Sequence, residues 1–234
     1  MADKQITALK KRVTETIAAA SDEIIALGED IFAHPELGYK EQRTSEVMAA
    51  KFKQLGLESE RGLAGTGIRA VGTGEKAAAR VAVIGELDAV VSPQHQQADP
   101  LTGAAHACGH HAQLATLYGV ACGLMASGVL AELDGDVHFL AVPAEEFVEL
   151  GYRQRLMEEG KIDFFGGKQE FIKDGIFDEL DAVMMVHAQA QEPGRKAYVG
   201  VTCNGFVGKI VTYEGRAAHA GAAPHEGINA LNAA

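Results

Sequence analysis

Arg80-Val-Ala-Val-Ile-Gly85-Glu86-Leu-Asp88 sets the reading of this chain. Val81 to Ile84 is a nearly unbroken apolar run, the pattern of a strand covered on both faces rather than one with a wet side. Its acids come only at the end. The pattern returns twice. Val137-His-Phe-Leu-Ala-Val142 leads into Pro143-Ala-Glu145-Glu146, and Ala182-Val-Met-Met-Val-His187, also of buried type, ends on an imidazole. Between these runs lie an Ala- and Leu-rich helix from His110 to about Ser127 and a long polar helical stretch, roughly Tyr152 to Asp174. Strands alternating with helices predict an α/β sheet with helices on both faces. Open sheets of that kind bind ligands outside the carboxyl ends of their strands. Asp88, Glu145, Glu146 and His187 all fall there, and packing alone would not concentrate them so.

Upstream, Ile6, Leu9, Val13, Ile17, Ala20, Ile24, Leu27 and Ile31 recur at steps of three and four. They predict one long amphipathic helix ending near His34-Pro35, because the residue before a proline avoids helical angles. Thr44 to Leu55 reads as a second helix stopped by Gly56, and Gly67–Gly72 as a further strand. Downstream of His187 the character changes. Gln189 to Gly194 is linker-like, Tyr198–Val201 and Phe206–Glu214 read as strands, and Asn229 to Ala234 looks like the start of a helix. The expected organisation is a domain over residues 1–196, followed by the opening of a second, incomplete one over 197–234.

Composition narrows the function. Apolar residues make up 47% of 234, enough for an ordinary core. The 21 Lys and Arg against 32 Asp and Glu leave a net charge of −11, which argues against nucleic acid or an anionic membrane as partner. Three cysteines (Cys108, Cys122, Cys203) show no disulfide spacing, and no segment reads as a signal peptide or membrane span. A reduced cytoplasmic setting is expected. Cys122 and Cys203 read as structural.

His106-Ala-Cys108-Gly-His110-His111 carries the chemistry. A lone cysteine is most often a small buried hydrophobe, and a lone histidine is usually surface or satisfied core. Packed together, with Gly109 permitting a tight turn, a thiolate and an imidazole two residues apart can face one point. With Glu145, Glu146 and His187 they supply the sulfur, nitrogen and oxygen donors of a hydrolytic zinc or manganese site. Adjacent residues leaving a strand point in different directions. One glutamate can therefore ligate while the other takes a proton from water. A Cys–His thiol hydrolase competes for Cys108, but it leaves Glu146 and His187 without work. His219, in a Gly/Ala-rich turn, reads by itself as an exposed loop histidine.

His34-Pro-Glu-Leu-Gly, His106-Ala-Cys-Gly-His, Pro143-Ala-Glu-Glu and Gly215-Arg-Ala-Ala-His219-Ala-Gly-Ala-Ala-Pro-His-Glu-Gly-Ile-Asn-Ala-Leu stand in the order of one family. The chain resembles the metal-dependent amidohydrolases that include hippurate hydrolase, aminobenzoyl-glutamate hydrolase and the plant auxin-conjugate hydrolases, relatives of carboxypeptidase G and aminoacylase. The resemblance implies a catalytic α/β domain, a smaller α+β lid that dimerises, and two divalent ions, manganese or zinc. It implies Cys108, His110, Glu146 and His187 as metal ligands, with Cys108 bridging, and Glu145 as general base. Asp88 becomes a residue that orients a ligand, and His219 a lid histidine that reaches the substrate. The implied reaction is hydrolysis of an N-acyl or N-aroyl amino acid. The alternatives are a dipeptidase of the same superfamily or a non-catalytic metal-binding, dimerising fragment, since the chain reads as an N-terminal portion without the family's last His ligand. Three departures stand out. His111 and Gln113 replace the usual Asp and His, Glu86-Leu-Asp88-Ala-Val-Val replaces Asp-Met-Asp-Ala-Leu-Pro, and the Glu146–His187 segment is longer and more charged.

Overall fold

The structure, a computed structural model, describes residues 2–76, 78–190, 193–194, 197–200, 202 and 204–234. It divides into two compact units, Met1–Gln189 and Ala190–Ala234.

In the first unit, helices α1 (Ala2–Ala19), α2 (Ser21–Phe32) and α3 (Gln42–Gln54) precede strands β1 (Ser59–Leu63), β2 (Gly67–Gly72) and β3 (Arg80–Glu86). A short hairpin, β4 (Val90–Val91) and β5 (Ala104–Ala105), leads to α4 (His110–Ala126) and β6 (Asp136–Val142). Then come α5 (Leu150–Glu158), α6 (Gly167–Lys173) and β7 (Ala182–Met185). The main sheet has the order β1-β2-β6-β3-β7. β1/β2 and β2/β6 are antiparallel, whereas β6 and β7 run parallel to β3 on either side of it. This is the expected α/β architecture. Alternate residues of the central strands serve opposite faces. Ile68, Ala70, Phe139 and Ala141 join Leu27, Ile31, Met48, Phe52, Leu114 and Leu117 of the helices in one core. Ala82, Ile84, Leu140 and Val142 face the other way, onto Phe171 of α6 and Ile176.

Because β3, β6 and β7 are parallel, their carboxyl ends open on one edge of the sheet. Glu86 and Asp88, then Glu145 and Glu146, then His187 follow those ends directly. The motif His34-Pro-Glu-Leu-Gly supports that edge. Glu36 accepts from the Thr44 backbone N–H (2.7 Å) and hydroxyl (2.8 Å) at the start of α3, and Leu37 bridges to Ala89. A side chain at Gly38 would strike Ala144 and Arg153.

Several expectations are corrected. The N-terminal helix is two helices. Ala20, at ψ 7°, interrupts it, and Ser21-Asp22-Glu23 supply a fresh acidic first turn. Its apolar stripe is buried at Leu27 and Ile31 and partly at Leu9, Val13, Ile17 and Ile24, but Ile6 is exposed. The polar stretch 152–174 is likewise two helices, because Gly160 at φ +67° ends α5 and extended Gly166 restarts the chain at α6. β7 is exposed along its whole length: it lies at the sheet edge, paired to β3 alone among the described residues. β1, too polar to announce itself, is an additional edge strand.

In the second unit, the described residues of the expected strands 198–201 and 206–214 form no strand. A strand exists through its ladder, and no described neighbour offers one. Val201 and Cys203 lie outside the described residues. Arg216 and Ile228 exchange backbone hydrogen bonds of 3.0 and 2.9 Å, closing the turn that holds His219. The expected terminal helix is a single 3-10 turn, Ala230–Asn232, capped by the Asn229 side chain.

Candidate metal centre

The loop from β5 into α4 presents Cys108 and His110. Gly109 between them is at φ +93°, and a Cβ there would lie 2.7 Å from Ala188 Cβ. Only glycine tolerates both the left-handed backbone and so close an approach. His110 is buried. Its Nδ1 lies 2.8 Å from the Asp88 carbonyl, which can only accept, so Nδ1 carries a proton and Nε2 is the nitrogen turned toward Glu86, the one an ion would meet. His187 is fixed in the same sense: Nδ1 donates to the Ala188 carbonyl (2.7 Å), and Nε2 lies 3.4 Å from Cys108 Sγ.

Two groups of ligand atoms result, and they share His110. Cys108, His110 and His187 form one, Glu86, His110 and Glu145 the other, with the atoms of each group within 4.8 Å of one another. His110 Nε2 lies 3.0 Å from Glu86 Oε2 and 4.0 Å from both Glu145 Oε2 and Glu146 Oε1. Asp88 Oδ2 accepts from the Glu146 backbone N–H (2.9 Å), so Asp88 steadies both His110 and the start of the Glu146 loop.

Burial pushes the Cys108 thiol up to about 12, with its hydrogen bond to Glu146 and the charges of Glu146, Glu145 and Glu86 adding to the effect. Burial and the Glu86 charge raise Glu145, against the pull of Lys168. Burial would also raise Glu86, but its hydrogen bond to His110 and the Lys168 charge hold it down at about 2. His110 is pushed up to about 10: burial opposes this, and Asp88 and Glu86 overcome it. Among the described residues, Glu146 Oε1 and Asp88 Oδ1 are buried without a well-aligned hydrogen-bond partner, and His110 Nε2 and Glu86 Oε2 have only each other, 3.0 Å apart. Orphaned donors and acceptors of this kind are costly unless something binds them.

A divalent ion fits this donor set. Tetrahedral zinc with bonds of about 2.0–2.3 Å sets its ligands roughly 3.3–3.8 Å apart, which matches the Cys108–His187 spacing. An ion would also reverse the Cys108 shift, since a coordinated thiol ionises.

Cys108, His110, Glu145, Glu146, His187 and Asp88 thus come together in the first unit. His219 belongs to the second, where its Nδ1 accepts from the Ala222 (3.0 Å) and Gly221 (3.2 Å) backbone N–H groups. Sequence reasoning did not place Glu86 beside His110, although its position at the end of β3 was the available signal. It marked Gln113 only as a departure from the family pattern and not its partners: Gln113 accepts from the Glu86 N–H and donates to the Val186 carbonyl, both at 2.7 Å. His111 packs its ring on Phe32 (centroids 4.6 Å apart) and beside buried His106, whose imidazole burial drives down to about 3.

No protein-family model matches the chain. The chain is 32% identical to the Xaa-Arg dipeptidase of Mus musculus over 98% of its length and 48% of the relative's. It is 30% identical to thermostable carboxypeptidase 2 of Saccharolobus solfataricus over 95% of its length and 54% of the relative's. It therefore spans about half the length of these relatives. Among solved structures, a dinuclear metal-binding peptidase of the M20 family from Bacillus subtilis superposes with a TM-score of 0.57 at 24% identity, over 71% of this chain and 42% of that one. Relatives along nearly the whole chain and the shared fold point the same way: the proteins it is similar to are named peptidases and amidohydrolases, and its fold is that of an M20-family dinuclear metal peptidase.

Proposed function

We propose that the protein hydrolyses the amide bond of an N-acyl or N-aroyl amino acid. The observation that carries the reading is the meeting of Cys108, His110 and His187 beside Glu145 and Glu146 at the ends of three parallel strands. In this reading Cys108, His110, Glu146 and His187 hold two divalent ions, zinc or manganese. Ions bound there would supply polarisation of the scissile carbonyl and a more acidic water. The remaining work belongs to the chain. Glu145 takes the proton from the attacking water and passes it to the leaving amine. Asp88 keeps His110 in the tautomer that leaves Nε2 free. His219, from a lid assigned to residues 197–234 that also pairs two copies, supports the charge developing on the carbonyl oxygen.

A dipeptidase is the second reading, favoured by the likeness to a protein named Xaa-Arg dipeptidase. Turnover of N-acyl amino acids against free-amine dipeptides separates the two. For the reaction itself, Glu145→Gln is expected to lower kcat by about 100-fold or more with bound metal unchanged. Full activity in that variant would remove Glu145 as the base.

A further inference from the structure

The segment between Glu146 and β7 brings a cation into the site. α6 is anchored by Phe171 in the sheet core, and its first residue, Gly167, lies against the loop after β6. A Cβ on Gly167 would fall on the Pro143 carbonyl, and the Gly167 N–H donates to the Ala144 carbonyl (3.3 Å). That contact fixes where the next side chain goes. Lys168 Nζ donates to Glu86 Oε1 and lies 3.6 Å from Glu145 Oε1. Of the two ligand groups that share His110, therefore, the Glu86–Glu145 side already holds a positive charge.

Resting on the metal reading above, we propose that Lys168 is a tethered cation that competes with the ion beside His110 for Glu86, a carboxylate not among the ligands named there, making the two ion positions unequal. An ion entering the Cys108–His110–His187 group meets a thiol and two imidazoles. An ion entering between His110 and Glu86 must share the Glu86 carboxylate with an ammonium and is repelled by it at short range. Lysine suits this part: it is a compact point charge on a flexible stem that can swing aside without leaving its helix.

The test is a zinc titration of the metal-free chain by calorimetry, with a chelator competing for the tighter step. It compares wild type, Lys168→Met and Lys168→Arg, each checked for fold by circular dichroism. Wild type should bind a tight and a weak ion. Lys168→Met should tighten the weak step by about tenfold or more, and Lys168→Arg, which keeps the charge, should leave the steps apart. A weak step unchanged or weakened in Lys168→Met, or one step in every variant, overturns the proposal and leaves the metal reading standing. No zinc uptake by any folded variant would sink the metal reading itself, and this proposal with it.

Discussion

The Asp88 backbone carbonyl accepts a hydrogen bond from His110 Nδ1 at 2.8 Å, and that contact decides which nitrogen of a buried imidazole faces the candidate metal centre. The Asp88 carboxylate adds to it, with Oδ1 3.4 Å from the same nitrogen and Oδ2 on the Glu146 N–H.

Replacing Asp88 by alanine leaves the carbonyl but removes the carboxylate. Partners of metal-ligating histidines change affinity by roughly 10–100-fold when lost. Asp88→Ala should therefore weaken zinc binding by about that factor, measured by chelator competition, in a chain with an unchanged circular dichroism spectrum. Wild-type affinity would show that the carbonyl alone orients His110.

Gln113 ties the end of β3 to the residue before His187 through two hydrogen bonds of 2.7 Å. Its amide orientation is fixed by its partners, since one can only donate and the other only accept. Gln113→Leu strands both, and each unsatisfied group costs about 1–3 kcal/mol. Urea unfolding of the variant should show a loss of about 2–4 kcal/mol. A loss below about 0.5 kcal/mol would mean that water replaces the amide on both sides.

Glu41 predicts a pH dependence. Buried with Thr66 and the Ala144 N–H as partners, it is pushed from 4.5 to about 7 by burial and then by the Asp88 charge. Arg153 and Tyr39 are the other ionisable groups that its charge reaches. The folded carboxyl holds its proton more tightly than the unfolded one. Its contribution is thus complete below about pH 4.5 and is lost as pH rises towards 7, by at most about 3 kcal/mol. Glu41→Gln keeps the shape without the titration. Plotted against pH between 4.5 and 7, the stability difference between variant and wild type should grow in the variant's favour, and a flat difference would contradict the burial argument.

Much of this was legible in sequence because burial and chemistry disagree so plainly at the strand ends. The runs at Val81, Val137 and Ala182 demanded a sheet, and Glu86, Asp88, Glu145, Glu146 and His187 had no place inside it. What stayed hidden depended on partners far along the chain. Nothing in Gly166-Gly167-Lys168 says that the lysine reaches Glu86, 82 residues away. Gln113 is one glutamine on a helix with apolar residues on all sides, so periodicity assigns it no face. The exposure of β7 was illegible for another reason. An apolar run reports that a strand is suited to cover, not that cover is present.

The most direct test of the account is elemental analysis of zinc and manganese in the folded chain, wild type beside Cys108→Ala. The account predicts about two ions per wild-type chain, largely lost in the variant, since ligand removal opens the group that Cys108 shares with His110 and His187. A folded wild-type chain with no bound metal after loading, or a Cys108→Ala chain that keeps its full complement, would contradict it.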